Sequence, residues 1–420
     1  MFAAIARCAP LWAAALLAAW AFDAPAQPIF GADLSAMLSH ARSQHPEVIA
    51  ASLEADALAA RASTADSLPD PMAQVEFKDL TRGRGIAPND IGNRTYMVAQ
   101  SFPLGGKRDL RKAIASSDRD VADAARRTIA EDLVLRIKTV QAQRYATTAG
   151  LQLLHSQHSL LTRVIEAADQ AYAQGRTGQD ASLMARLNLS RHEVEIARLE
   201  GDQRRFDARL GALLALDGTI KLAPPLAFAP LPPMDGMDAD SLLVMARDSS
   251  PELAQQGKRI TRGEQQVKLA DTEWIPDVTI GVGVVEEDLG IRGYEGLLSV
   301  NIPLRWGLRD AKRAEAMAET SAARTRRTAI ELDLAGRLRE ALASFASQRR
   351  IENILSQQAL PQARATSDAL LRGLEQGSSL VADVLLAQSR LREIEMERLK
   401  IQAEQRMTLA EIERAIGAEL

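Results

Sequence analysis

The sequence predicts a mainly α, internally duplicated chain that carries four β-strands suited to a membrane barrel. Three observations predict this. Alternating segments come in pairs, and each pair ends at a Pro-Leu: Phe102-Pro103-Leu104-Gly105-Gly106-Lys107-Arg108 in one case, Asn301-Ile302-Pro303-Leu304 in the other. Each Pro-Leu then opens a helix-forming stretch far longer than the roughly 8–20 residues usual in globular proteins. The same landmarks return in the same order about 200 residues later, as expected of a duplication. Aromatic residues make up only 4% of the chain, which suits helices packed side by side through Ala and Leu better than a large compact core.

The first 26 residues read as a secretory signal. Arg7 gives a positive start, Leu11 to Ala19 is a short apolar run, and Ala24-Pro25-Ala26 is a small-x-small cleavage site, so the mature chain is expected to begin near Gln27. Cys8 is the one cysteine and precedes the apolar run. The mature chain is therefore expected to need no disulfide, make no thiolate metal site and carry no lipid at its cleavage point. No later stretch is apolar over the roughly 18 residues of a membrane-spanning helix. Such an exported chain is periplasmic, secreted, or in the outer membrane as a β-barrel. The net charge of −4 gives no reason to expect a nucleic-acid partner.

The first repeat is expected over residues 27–216. Its helical start, Asp33 to Ser67, is interrupted at His45-Pro46-Glu47 and stopped by Leu68-Pro69-Asp70-Pro71. A strand near 73–78 places Ala73, Val75 and Phe77 on one face and Gln74, Glu76 and Lys78 on the other. A polar loop over 81–93 leads to a strand near 94–102. A long helix follows, from about Lys107 to Gln174. A tip near 175–180 contains Gly175, to leave one helix, and Asp180, to open the next. The returning helix, 181–216, carries an apolar stripe through Leu187 and Val194. Residues 217–238 form a linker, because Pro224, Pro225, Pro230, Pro232 and Pro233 cannot continue a helix.

The second repeat, 239–420, follows the same plan. Ser250-Pro251-Glu252 echoes His45-Pro46-Glu47, and Trp274-Ile275-Pro276-Asp277 echoes the earlier stop. Strands are expected near 278–285 and 294–302, with a loop over 286–293. A helix from near Leu308 is expected to be interrupted at Pro361. The second tip lies near 376–383, and the last helix runs from Leu380 to Ile416.

Four strands cannot close a membrane barrel, which needs at least about eight, and open edges are not tolerated in lipid. A dimer would supply eight strands and a trimer twelve. The long helices likewise need partners for their apolar stripes. The pattern calls for an oligomeric duct: a barrel at one end, a helical tube at the other.

On these features the chain resembles the TolC family of outer-membrane efflux proteins over its whole mature length. The duplication, Leu68-Pro69-Asp70, Phe102 to Arg108, Asn301 to Leu304, and the reversals at Gly175 and Gly377 followed by Asp180 and Asp383 carry the resemblance together. The Pro-Leu-Gly-Gly-Lys-Arg form is most similar to the outer-membrane component of cobalt-zinc-cadmium type heavy-metal efflux systems. The resemblance implies a homotrimer with a twelve-stranded barrel in outer-membrane lipid and a helical barrel projecting into the periplasm. It implies docking to a periplasmic adaptor protein and to an inner-membrane efflux pump driven by protons. It implies a passive exit duct, favouring heavy-metal cations, with no cofactor and no enzymatic activity. A duct for drugs or for type I protein secretion is the alternative within the class. A periplasmic helical-hairpin adaptor or scaffold is the alternative outside it, and the four strands speak against it. Lipidated members carry a cysteine at the cleavage site, which this chain lacks.

Candidate sites follow. Pro103, Leu104, Gly105, Gly106, Pro303 and Leu304 form the barrel–helix junctions, with the glycines letting the backbone swerve. Gly175, Arg176, Thr177, Gly377, Ser378 and Ser379 are the expected adaptor-docking tips. Asp180 and Asp383 open the helices after the tips; either they only complement the helix dipole, or they form a carboxylate ring at the periplasmic aperture. The resemblance places Asp383 at the periplasmic aperture, where a second acidic position is filled here by Leu386. Lys107, Arg108, Arg111 and Lys112 read as a solvated collar, with lipid-headgroup anchoring as the alternative. His155 and His158 lie on one helix, but without a carboxylate between them they make a poor metal site, so no metal is expected to be bound.

Overall fold

A computed structural model of the chain describes residues 30–80, 91–217, 222–233, 238–287, 290–304 and 306–420. The expected signal peptide and most of the polar loop at 81–93 lie outside the described residues. Helix α1 (Leu34–Gln44) starts where the Asp33 carboxylate accepts from the Ser35 amide at 2.9 Å. Helix α2 (Pro46–Thr64) starts at once, with His45 as its cap and proline in its first turn, where a missing N–H costs nothing.

Strands β1 (Met72–Leu80), β2 (Ile91–Phe102), β3 (Asp277–Glu287) and β4 (Gly290–Asn301) form one antiparallel sheet in that order. The β2–β3 pairing, Phe102 with Val278 through Asn93 with Glu287, joins the two repeats. Register sorts the faces. Val75 sits opposite Tyr96, Tyr96 opposite Val284 and Val284 opposite Tyr294, so these residues share a face. On that face Val75, Tyr96, Val98, Ile280, Val282, Tyr294 and Leu298 are all exposed. The opposite face holds Gln74, Glu76, Lys78, buried Thr95, and Glu295, whose carboxylate lies 3.3 Å from Lys78 Nζ. An apolar outer face and a polar inner one is the alternation of a membrane barrel wall. The expected loop at 286–293 is instead mostly strand: Glu286 pairs with Ile291 and Glu287 with Gly290, past a register shift at Val285/Glu286. A bulge takes up the extra residue, so the ladder continues where side-chain alternation falters.

Helix α3 (Lys107–Ala173) is unbroken for 67 residues, about 100 Å at 1.5 Å per residue. Helix α4 (Gln179–Leu213) returns along it. After the linker, α5 (Ala239–Ser249) and α6 (Pro251–Thr272) repeat the α1–α2 arrangement, with Pro251 again in the first turn. Helix α7 (Trp306–Ile354) runs through a π turn (Leu355–Ala359) into α8 (Leu360–Glu375), and α9 (Val381–Ile416) returns. The interruption expected at Pro361 is thus a bulge and not a break. Proline lacks the N–H and crowds the carbonyl four residues back, and one wide turn absorbs both.

Among the described residues the core is three clusters. Met37, Leu133, Ile137 and Leu210 centre the first, joining α1, α3 and α4. Leu242, Leu334, Leu338 and Ile412 centre its counterpart, joining α5, α7 and α9. The third joins the repeats toward the tips, with Leu161, Val164, Ala185, Val381 and Val384 packed together. The linker is strapped down. The Phe228 ring lies 4.1 Å from the Tyr145 ring and 5.1 Å from the Arg406 guanidinium, and Arg349 donates to the Pro232 carbonyl at 2.8 Å. Fully buried Arg144 pairs with Asp207 and donates to the carbonyls of Gly31 (3.0 Å) and Ala223 (2.7 Å). The Ala223 amide in turn donates to Phe30 at 2.8 Å, tying the start of the described chain to the linker.

Candidate functional site

The candidate site is the helical end, where the two tips meet. At the first, Gly175 adopts φ +66°; its amide donates to the Tyr172 carbonyl and that of Arg176 to Ala171, both at 2.9 Å. At the second, Gly377 adopts φ +73°; its amide donates to Leu374 at 3.1 Å and that of Ser378 to Gly373 at 2.7 Å. Left-handed φ at the residue after a helix is the glycine stop, and it satisfies carbonyls otherwise left bare. The tips touch: a Cβ on Gly377 would sit 3.3 Å from Arg176 Nη1. Behind the first tip Asp169 accepts from Ser182 Oγ and, at 2.8 Å, from Arg186, locking α3 to α4. Behind the second, buried Gln388 donates to Ser367 Oγ at 2.6 Å, locking α9 to α8.

Asp180 is the second residue of α4 and Asp383 the third of α9, and both are exposed. They lie on faces of different character. Val381, Val384 and Leu385 turn α9 into the third core cluster, leaving Asp383, Leu386, Arg390, Glu393, Glu397 and Lys400 exposed. These residues step by three and four, so they share one stripe, and apart from Leu386 it is charged throughout. Asp180 instead heads an exposed stripe with Leu183, Leu187 and Val194, a face suited to contact with protein. The sequence reading treated the two aspartates alike and missed Arg390. Stepping seven residues on from Asp383 was the signal that would have found it.

At the other end, Pro103, Leu104, Gly105 and Gly106 connect β2 to α3, with both glycines left-handed at φ +73° and +72°. A side chain on Gly105 would run into Ile275. Pro303 and Leu304 hold the matching place after β4. The solvated collar expected of these basic residues holds only for Arg111 and Lys112. Lys107 is only 6% exposed and donates to the Ile275 carbonyl at 2.6 Å and to Asp277 at 2.8 Å. Arg108 donates to the Asp66 carbonyl at 2.6 Å and Lys112 to the Asp66 carboxylate at 2.8 Å, which holds that carboxyl below its ordinary range. Arg111, on the same turn, is exposed. Charge was legible in the sequence, but Asp66, Ile275 and Asp277, which absorb it, are distant in the chain.

His155 is exposed on α3, whereas the His158 ring faces His192 of α4 with centroids 5.9 Å apart. The pair therefore forms across helices, not along one. Among the described residues no group of three or more His, Cys, Asp or Glu could hold a metal ion, and no helix is long and apolar enough to cross a membrane.

Residues 242–418 match the family model described as outer membrane efflux protein. The chain is 23% identical over 387 residues to the cobalt-zinc-cadmium resistance protein CzcC of Cupriavidus metallidurans, covering 91% of this chain and 90% of that one. Its fold matches the outer-membrane channel OprN with a TM-score of 0.78 at 15% identity, over 92% of this chain and 90% of that one. It matches the outer membrane protein VceC of Vibrio cholerae with a TM-score of 0.75 at 17% identity, over 92% and 96%.

Proposed function

We propose that this chain, which carries an outer membrane efflux protein domain and the fold of outer-membrane channels, is the passive exit duct of a tripartite system that expels heavy-metal cations. The protein is an efflux channel of the outer membrane, with its helices extending into the periplasm. The single observation that carries the duct is the sheet. One four-stranded antiparallel sheet with free edges at β1 and β4, apolar outside and polar inside, feeds directly into α3 and α7. Three such sheets close a barrel of twelve, and the helices, already aimed along its wall, close a tube beneath it.

The exposed stripe on α9 is the lumen wall in this reading, and the apolar stripe on α4 is covered by neighbouring protein in the assembly. Asp383 therefore serves the aperture and Asp180 does not. The touching tips at Gly175–Thr177 and Gly377–Ser379 are the surface for the periplasmic adaptor, which bridges to the inner-membrane pump. Cation cargo is supported by the name of the CzcC relative and by the Pro-Leu-Gly-Gly-Lys-Arg junction.

The test is a deletion strain challenged separately with Co2+, Zn2+ and Cd2+ and with an apolar drug. Sensitivity to the cations, restored by the gene in trans, is expected. Sensitivity to the drug alone would replace the cargo assignment with the drug-duct alternative.

A further inference from the structure

Two histidines away from the tips and the α9 stripe have bonding capacity that the duct does not use. His192, on α4, is fully buried, and its Nε2 lies 2.9 Å from the Leu154 carbonyl oxygen on α3. A carbonyl only accepts, so Nε2 carries the proton and Nδ1 carries the lone pair. That Nδ1 is buried and hydrogen-bonded to nothing. His158, one turn beyond Leu154, has the same feature: its Nδ1 is also buried without a partner. The two rings lie 5.9 Å apart, tilted by 31°. Each unpaired buried polar atom costs on the order of 1–3 kcal/mol, so two such nitrogens on facing rings are open to a shared ligand.

An imidazole lone pair takes a proton or a metal ion. Burial pushes the His192 pKa down, outweighing the Leu154 hydrogen bond, and Arg392 and His158 push it the same way against Glu195. The lone pair is therefore free at neutral pH. A hydrogen bond from the far ring nitrogen to a backbone carbonyl is how metal-binding histidines are held in tautomer and orientation. An ion bound to two nitrogens at about 2.0–2.1 Å keeps them about 4 Å apart, a separation that rings 5.9 Å apart can reach. Among the described residues no third His, Cys, Asp or Glu completes a group. Zn2+, which takes four ligands in a tetrahedron, is poorly served. A soft monovalent cation content with two nitrogens is well served.

We propose that His158 and His192 form a two-coordinate site for a soft monovalent cation, Cu+ or Ag+, that staples α3 to α4. His158 is partly exposed and gives the ion its way in. The site lies within one repeat's helix pair, off the α9 stripe, and stands whether or not cations are the duct's cargo.

The test uses the full protein in detergent and a chloride-free nitrate buffer, with Ag+ as an air-stable probe at one equivalent per chain. Silver-edge X-ray absorption is expected to show two nitrogen neighbours. Titration calorimetry is expected to show affinity falling roughly tenfold or more in His158→Gln and in His192→Gln, and unchanged in the exposed control His155→Gln. His158→Gln leaves the Leu154–His192 bond in place, so it decides the matter even if His192→Gln misfolds. A sulfur-only silver environment, which would mean capture by methionines, overturns the proposal. So does an affinity that His158→Gln leaves unchanged.

Discussion

Asp383 and Arg390 stand seven residues apart on one exposed stripe, so in the proposed duct a ring of guanidinium groups would stand about 10 Å along the helix from the ring of carboxylates. The sequence reading expected a weakened acidic aperture because Leu386 fills a second acidic position. The structure adds an opposing charge to that expectation. Asp383→Ala is expected to leave assembly intact and to reduce block by trivalent cations added on the periplasmic side of planar bilayers. Arg390→Ala is expected to shift block in the opposite direction, and equal block in wild type and both variants would remove the pair from the aperture. His192 gives a second prediction. Its folded pKa lies below the ordinary 6.5, so under about pH 6.5 the unfolded chain binds more protons than the folded one. The stability it contributes is full above that pH and is lost as pH falls. Melting between about pH 7 and 5 is expected to drop more steeply in wild type than in His192→Gln. Lys107→Met strands Asp277 at the junction and is expected to cost about 2 kcal/mol, less than a fully buried pair because Asp277 is partly solvated. A fall in the temperature at which the assembly dissociates in detergent measures it.

At the scale of elements, most of the plan was legible because each element announces itself locally. Prolines at 46 and 251 start helices, glycines at 175 and 377 end them, and alternation marks the strands. What stayed hidden depended on partners far along the chain. The hairpin between β3 and β4 is longer than alternation suggested, because a bulge lets pairing outlast the pattern. The helix survives Pro361, because a π turn costs less than breaking the packing of α7 and α8 against α9. The burial of Lys107 and the cross-helix meeting of His158 with His192 needed the fold itself. The tips carry the prediction at this scale. Bulky residues at both Gly175 and Gly377 must adopt left-handed φ at roughly 1 kcal/mol or more each, and at Gly377 they also displace Arg176. The double variant is expected to reach the outer membrane and yet fail to restore metal tolerance. Full restoration would remove the tips as the docking surface.

For the whole molecule, the two repeats are interlocked rather than strung together. β2 pairs with β3, the third core cluster mixes both hairpins, and Arg414 of α9 reaches Asp132 of α3 at 2.6 Å and Glu252 of α6 at 3.4 Å. Arg414 is buried while Asp132 and Glu252 stay partly solvated, so its pairs fix the register of α9 against α3 and α6, and the apolar clusters do most of the holding. In the proposed duct the edges at β1 and β4 pair between chains. Sedimentation in detergent is expected to give three chains per particle, and a stable monomer would contradict the closed barrel.

The clamp around Arg144 bears on the order of events during export. Phe30 is buried and Gly31 accepts from both Gln141 and Arg144, only a few residues past the expected cleavage point near Gln27. Arg144 lies 37 positions along α3 from Lys107, about 55 Å from the barrel. A chain still moored by its leader would have a tether of about 10–15 Å between the inner membrane and this belt. Its strands could not then cross the periplasm with the belt closed. With a leader cleaved near Gln27, as the sequence predicts, cleavage is expected to come before this belt closes on Phe30 and Gly31.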